Sequence, residues 1–320
     1  MFVFIINPAS KSGKGLAMWQ KIEPILKQRE VSYQGIVSQS PDHMAQVIRQ
    51  LSGSSQESVS RVVALGGDGT LNQVVNAIED YSKIQVGYIP TGSSNDFARD
   101  MEFAPKIEQL LDEILKGEVQ HKLDIGTVQY DHITETLSGM PIDAAPYRCR
   151  FNVSAGIGFD AGVCADAMTA GSKGFLNRIG LGKLTYLTIA LQQLAGNARK
   201  AVDLVLDDEK TIHLDHFLFV AFMLHRYEGG GFKFCPMADP TDGILDLCLA
   251  GDVSKGLFLR ALPSAFSGNH YKYPGIEHYA ARKITVRTED PLWVHTDGEV
   301  LAKADAITVS VEQQVLQFLQ

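Results

Sequence analysis

Three times within the first hundred residues a short apolar run of β type ends in a loop of glycine and small polar side chains. The runs are Phe2–Ile6, Val62–Leu65 and Val86–Ile89. The loops that follow them are Asn7-Pro8-Ala9-Ser10-Lys11-Ser12-Gly13-Lys14-Gly15, Gly66-Gly67-Asp68-Gly69-Thr70 and Pro90-Thr91-Gly92-Ser93-Ser94-Asn95-Asp96-Phe97-Ala98-Arg99. Helical patterns alternate with these runs. One lies near Leu16–Leu26, and another, after the run Gln34–Val37, places Met44, Val47, Ile48 and Leu51 on one face, with Ser40 as N-cap and Pro41 in the first turn. Strands alternating with helices imply a parallel α/β sheet, which gathers its loops at the carboxyl ends of the strands. Glycines at a strand-to-helix turn let backbone N–H groups approach phosphate oxygens, and the helix dipole favours the anion. Taken alone, Gly66–Thr70 also fits a tight turn, and the other two loops fit capped turns. Their recurrence on one sheet edge is what points to a nucleoside triphosphate. The first loop is not a Walker A loop, because Pro8 replaces the leading glycine and Gly15 stands where Ser or Thr would bind magnesium.

A chain of 320 residues exceeds the usual size of one core, so a second domain is expected. After about Val119 the texture changes to β-like runs: Leu123–Gln129, Arg148–Ser154, Val202–Leu206, His216–Met223, Ile244–Leu249, Ile284–Arg287 and Leu292–His295. They predict a β-rich second domain, a sandwich, with the polar stretch Asp131–Pro146 as a loop or insertion and one helix around Lys183–Leu194. Two short strands, Ala306–Val311 and Val315–Leu319, close the sequence and either pair locally or return to the first domain. The expected division is 1–121, with about 305–320 returning, and 122–304.

The formal charge is −8, with 29 Lys and Arg against 37 Asp and Glu, which argues against nucleic acid as a partner. The four cysteines show no CxxC spacing and fit a reducing cytoplasmic setting. Met1–Ile6 lacks the basic flank of a signal peptide, and Leu184–Leu194 is too short and too polar to span a bilayer.

These motifs resemble the diacylglycerol kinase catalytic-domain family, which includes bacterial lipid kinases and the sphingosine and ceramide kinases, and the resemblance covers nearly the whole chain. Gly66–Thr70 with Leu71-Asn72-Gln73-Val74-Val75-Asn76 is similar to the family's nucleotide motif, with Gln73 where Glu is usual and Ala77 where Gly is usual. Pro90–Arg99 is similar to its second signature, with Ser93 in place of Thr, and Asn7-Pro8-Ala9-Ser10 to its first, with Lys11 where Gly is common. Phe151–Ala161 and Gly229-Gly230-Gly231 with Cys235–Asp246 resemble two motifs of the second domain. The resemblance implies an ATP- and Mg²⁺-dependent lipid kinase whose ATP contacts are Asn7, Ser38, Gly66, Gly67, Asp68, Gly69, Thr70, Leu71, Asn72, Ser93 and Asn95. It implies a structural magnesium held by Asp242 with the carbonyls of Asp239 and Ile244, a ligand set of hard oxygens. It makes Asp297, in Asp297-Gly298-Glu299, the general base that takes the proton of a lipid hydroxyl, with Asp68 and Glu299 holding the catalytic Mg²⁺. Without the family, Asp-Gly between apolar runs is simply a hairpin turn.

From Ala167 to Val202 there is no acidic residue, whereas Lys173, Arg178, Lys183, Arg199 and Lys200 are basic and Phe175, Leu176, Ile179, Leu181 and Tyr186 are apolar. Such a segment suits peripheral contact with an anionic membrane surface at the inner face of the membrane, and equally a packed helix with a solvated face. The expected activity is transfer of the ATP γ-phosphate to a lipid alcohol, diacylglycerol first. An NAD kinase and a non-catalytic, nucleotide-dependent lipid-binding regulator are the alternatives. A homodimer is consistent with related bacterial kinases.

Overall fold

The computed structural model describes residues 1–11, 13–53, 59–139, 147–171, 194 and 200–320. Apart from Leu194, the expected helix at Lys183–Leu194 lies outside the described residues, as does the basic stretch from Lys173 to Arg199 and Ser12 of the first loop.

The first domain runs β1 (Phe2–Ile6), α1 (Lys14–Gln28), β2 (Tyr33–Val37), α2 (Pro41–Gly53), β3 (Ser60–Gly66), α3 (Asp68–Ala77), β4 (Ile84–Pro90), α4 (Asp96–Asp100) and α5 (Ile107–Leu115). β1 pairs in parallel with β2 and with β3, and β3 with β4, as the alternation of strand and helix predicts. β1, β3 and β4 are buried on both faces, whereas β2, at the edge of the sheet, is half-buried to exposed along its length. Successive side chains point to opposite sides, so Val3, Ile5, Val62 and Ala64 join one core with Met44, Ile48, Leu71 and Val75, while Phe4, Ile6, Val63 and Leu65 join another with Trp19, Ile22, Leu111 and Ile114. At α2 the Ser40 Oγ accepts the His43 amide at 3.1 Å, the expected N-cap.

The second domain contains β5 (Val119–Thr136), β6 (Tyr147–Phe151), β7 (Ser154–Gly158), α6 (Phe159–Gly171), β8 (Lys200–Leu206), β9 (Lys210–Met223), β10 (Leu245–Gly251), α7 (Lys255–Ala261), β11 (Ile276–Ala281), β12 (Lys283–Thr296) and β13 (Glu299–Leu319). Its strand pairs are antiparallel. The long strands β9 and β12 each give one half to β8 and the other to β7. Bent in this way, the sheet folds over a sandwich core that includes Phe151, Val220, Phe222, Leu247, Val286, Val294 and Ile307.

Several boundaries differ from expectation, four of them for a local reason. β5 extends to Thr136 because Tyr130 to Thr136 pair with β13, so the polar stretch after Asp131 begins as strand; residues 140–146 lie outside the described ones. The run Arg148–Ser154 is broken at Asn152-Val153, whose amides turn to a carboxylate rather than to a neighbouring strand. Ile284–Arg287 and Leu292–His295 are one strand, β12, with its register shifted between Arg287 and Leu292. Lys200 opens β8 and pairs with Asp290 at 2.8 Å instead of belonging to a free basic face.

β13 resolves the question of the last segment by doing both things. Its first part pairs with β12, its length follows β5, and Gln317–Leu319 run parallel to β4 of the first domain. The strand survives an irregularity between Glu312 and Leu316 because the buried Asp124 carboxylate accepts the Gln314 amide at 2.7 Å and the Gly243 amide at 2.6 Å. One strand therefore ties the nucleotide-type sheet to the sandwich, and the Asp297-Gly298 turn sits directly before it.

Candidate active site

The three loops meet as their positions predict. The Asn7 Nδ2 donates to Thr70 Oγ1 at 2.9 Å, the Thr91 amide donates to the Gly66 carbonyl at 2.6 Å, and the Thr91 hydroxyl donates to Ser10 Oγ at 2.9 Å. Gly67 and Gly92 pack backbone to backbone: a Cβ on Gly92 would lie 2.7 Å from the Gly67 Cα and 2.7 Å from Asn95 Oδ1. The glycines thus serve close approach as well as any ligand. Gly92→Ala is expected to destabilise the fold by about 1–3 kcal/mol and to raise KM for ATP more than it lowers kcat, measured by thermal melts and initial rates.

α3 starts at Asp68 with Gly67 as its N-cap and no side-chain cap, so its first amides remain open to an anion. Asn95, at φ 50°, begins α4; its Nδ2 donates to the Gly92 carbonyl at 3.3 Å, while its buried Oδ1 has no partner. Ser93 is exposed. Ser38 lies on the same edge after β2, but its amide and hydroxyl go to Ile6 and Ser40. Two expected ATP contacts face elsewhere. Leu71 is fully buried in the core, and Asn72 directs its Nδ2 to the Arg150 carbonyl at 3.0 Å and to Asp297 Oδ2 at 2.8 Å, while its Oδ1 accepts from Asn76. Both sit on the buried faces of α3, where helical spacing turns side chains away from the loops.

Asp297 and Gly298 form the two-residue loop between β12 and β13, at φ 50° and 82°, the conformation that Asp-Gly hairpins favour. The hairpin that the sequence predicts is therefore formed, and it carries the carboxylate of the candidate base. The Asp297 carboxylate accepts the amides of Asn152 (3.0 Å), Val153 (2.9 Å) and Ser154 (3.0 Å) together with Asn72 Nδ2. Burial pushes its pKa up, and these donors pull against that push. Through Asn72 the turn of the second domain is tied to the helix that starts at the first domain's glycine loop.

Other carboxylates crowd around. Burial, and then the charge of Asp96, lift Asp68 to about 6. Glu299 is raised by burial and by the Asp297 charge, and its Oε1 lies 3.0 Å from where a Cβ on Gly69 would stand. Asp96 was not singled out by its residue type or spacing, since it follows Asn95 as an ordinary helix-starting acid. The structure makes it a latch: it is 5% exposed, pairs with Arg99, and accepts the Gly230 amide of the second domain at 2.7 Å. The three positive-φ glycines Gly229, Gly230 and Gly231 let that loop reach it.

A second group escaped sequence reasoning because its members are far apart in the chain. Asp160 at the start of α6, Glu228 and the buried His295 bring ligand-type atoms within 4.8 Å of one another. His295 Nε2 lies 3.2 Å from Asp160 and 3.3 Å from Glu228. Burial raises Glu228 to about 7.

Asp239, Asp242 and Ile244 lie in the loop before β10. Asp242 Oδ1 accepts the Ile244 amide at 2.9 Å, and Asp239 Oδ1 accepts from Thr241. Burial, with the charges of Asp239 and Asp246, raises Asp242. Oxygen donors and concentrated negative charge fit a hard divalent cation.

The model of the diacylglycerol kinase catalytic domain matches residues 1–128, and that of the YegS C-terminal NAD kinase beta sandwich-like domain matches residues 153–320. The Bacillus subtilis (strain 168) protein named "Putative lipid kinase YtlR" is 30% identical over 305 residues, covering 93% of each chain. A Mycobacterium tuberculosis (strain ATCC 25618 / H37Rv) protein named diacylglycerol kinase is 28% identical over 99% of this chain and 94% of its own. A crystal structure described as a diacylglycerol kinase from Bacillus anthracis str. Sterne shares the fold, with TM-score 0.67 and 18% identity over 99% of this chain and 96% of that one. Two matched domains in order, a relative aligned along nearly its full length, and glycine loops tied to a late Asp-Gly turn place this chain in the diacylglycerol kinase catalytic-domain family, among kinases.

Proposed function

We propose that the protein transfers the γ-phosphate of ATP to the hydroxyl of a membrane lipid, diacylglycerol first, and that Asp297 takes the hydroxyl proton. The observation that carries this reading is the 2.8 Å bond from Asn72, on the helix behind the glycine loop, to the Asp297 carboxylate. It brings the candidate base of one domain to the phosphate loop of the other. In this reading the amides at the start of α3 and the loop at Gly92–Asn95 hold the phosphates. Phosphoryl transfer demands little covalent help from a protein, so positioning and charge dominate. The three backbone amides fix Asp297 in place, and Asn72 is the side-chain donor that must yield for the carboxylate to receive a proton.

The carboxylates fit a divalent cation, since Asp68 and Glu299 are both raised by burial and by neighbouring negative charge. These two residues would hold Mg²⁺, which supplies neutralisation of charge on the transferring phosphoryl group. Asp242, with the carbonyls of Asp239 and Ile244, would hold the structural ion.

Among the described residues no helix is long and apolar enough to cross a membrane. We assign docking at the lipid surface to the segment after α6, on the strength of its basic and apolar residues. The test is labelled ATP with a panel of acceptors in mixed micelles: diacylglycerol, a sphingoid base, undecaprenol and phosphatidylglycerol, with NAD alongside. Label in a lipid, strongest in diacylglycerol, is expected. Label in NAD and in none of the lipids overturns the proposal.

A further inference from the structure

We propose that His295 is a positioning residue for the Asp297-Gly298 turn, locked by Asp160 and Glu228 in the tautomer that can receive the Gly298 amide. Its catalytic consequence rests on the reading of Asp297 given above, whereas the tautomer stands on geometry alone.

His295 is fully buried two residues before Asp297. Its two ring nitrogens face opposite kinds of group. On one side the Gly298 amide donates to Nδ1 at 3.2 Å, which requires a lone pair there. On the other, Nε2 faces the carboxylates of Asp160 and Glu228 at 3.2 and 3.3 Å, which require a hydrogen. One tautomer satisfies all three contacts: the neutral ring with its proton on Nε2.

The same geometry decides against a metal in this cluster, although its residue types and spacing would suit one. A metal on Nε2 leaves the ring neutral only if Nδ1 carries the proton, and a metal-bound histidine ordinarily donates that proton outward. Here Nδ1 meets a donor. A second proton on the ring meets the same obstacle. Burial works against it and the charge of Glu228 and the hydrogen bond and charge of Asp160 work for it, but the Gly298 hydrogen occupies the place the added proton would take. Burial raises the Glu228 carboxyl, so a further proton in the cluster is better accommodated there than on the ring.

The Gly298 amide would otherwise point into a two-residue loop with nothing to bond. Held by His295 on one side, and by the Asp297 amide donating to the Ser154 carbonyl at 2.8 Å on the other, the loop has both of its N–H groups anchored. The orientation of the Asp297 carboxylate follows from these anchors.

The two amide side chains divide the roles of the ring. Asn places its Oδ1 where Nδ1 stands and keeps the acceptor for Gly298; Gln places its amide where Nε2 stands and keeps the donor to the carboxylates. His295→Gln is expected to lower kcat by roughly 10- to 100-fold with KM for ATP within about twofold. His295→Asn should recover most of that kcat while melting at a lower temperature than His295→Gln, because it leaves two carboxylates without their donor. A kcat that simply follows the melting temperature, with Asn the worse on both counts, overturns the proposal. The tautomer is read separately, in wild-type protein labelled with ¹⁵N-histidine, from long-range ¹H–¹⁵N correlations at pH 7. An unprotonated Nδ1 and a protonated Nε2 for the His295 ring are expected, and a protonated Nδ1 contradicts the assignment whether or not any lipid is phosphorylated.

Discussion

Asp297→Asn is expected to lower kcat by about 10³-fold while KM for ATP stays within about threefold of wild type. The substitution keeps the shape of the side chain, and Asn tolerates the φ of 50° that this position requires. What it removes is charge and one acceptor oxygen. The wild-type carboxylate receives four donors, two on each oxygen, so an amide NH₂ in place of either oxygen meets hydrogens head on. That mismatch costs about 1–3 kcal/mol of stability, visible as a lower melting temperature. A purely structural role for Asp297 predicts the stability loss with a kcat close to normal at a temperature where the variant remains folded. Loss of kcat in the fully folded variant separates the two.

Asp68→Asn is expected to do the opposite to stability and the same to activity. Burial and the Asp96 charge hold the Asp68 carboxyl at about 6, against an ordinary value of 3.8. A folded-state pKa above the unfolded one means that ionising Asp68 opposes folding. The opposition is absent below the ordinary value, grows as pH rises through that interval, and is complete above about 6. Near neutral pH, without divalent cation, the neutral Asn variant should therefore be more stable by on the order of 1–2 kcal/mol, after allowing for partial solvent access and for the loss of one of the two bonds, from Tyr88 and the Asp96 amide, that the carboxylate accepts. That corresponds to a rise of a few degrees in Tm. Addition of Mg²⁺ should raise the wild-type Tm and leave the variant nearly unmoved, and kcat should fall at least 100-fold. Equal Mg²⁺ responses in the two proteins would remove Asp68 from the ion's site. A carboxylate kept at the expense of stability is typical of functional positions.

How far these residues could be read in advance depended on how local their signals are. The glycine loops were legible because strand, turn and helix follow one another within about twenty residues, and hydrophobic periodicity marks each. Gly66–Thr70 and Pro90–Arg99 accordingly lie where their order along the chain places them, side by side. The direction of Asn72 was not legible. It lies inside the loop motif, yet helical spacing turns it toward a turn 225 residues later in the chain. The cluster of Asp160, Glu228 and His295 has no spacing at all, since it exists only once α6, the Gly229–Gly231 loop and β12 have packed. β13 was ambiguous for another reason. Two short apolar runs joined by polar residues look like two strands, and the Asp124 carboxylate, reaching from β5 to the Gln314 amide, helps carry one strand across the interruption. Of the family departures, Lys11 has φ 43°, a left-handed conformation where glycine is free of strain, so the loop accepts that cost locally.

The central claim is that this site moves phosphate from ATP to a lipid hydroxyl. The most direct measurement follows ADP and phospholipid together, in wild-type protein given ATP, Mg²⁺ and diacylglycerol in mixed micelles. The account predicts one phosphatidic acid formed for each ADP, with both absent when the lipid is omitted. ADP released with inorganic phosphate and no phosphorylated lipid, or ATP left intact, would contradict it.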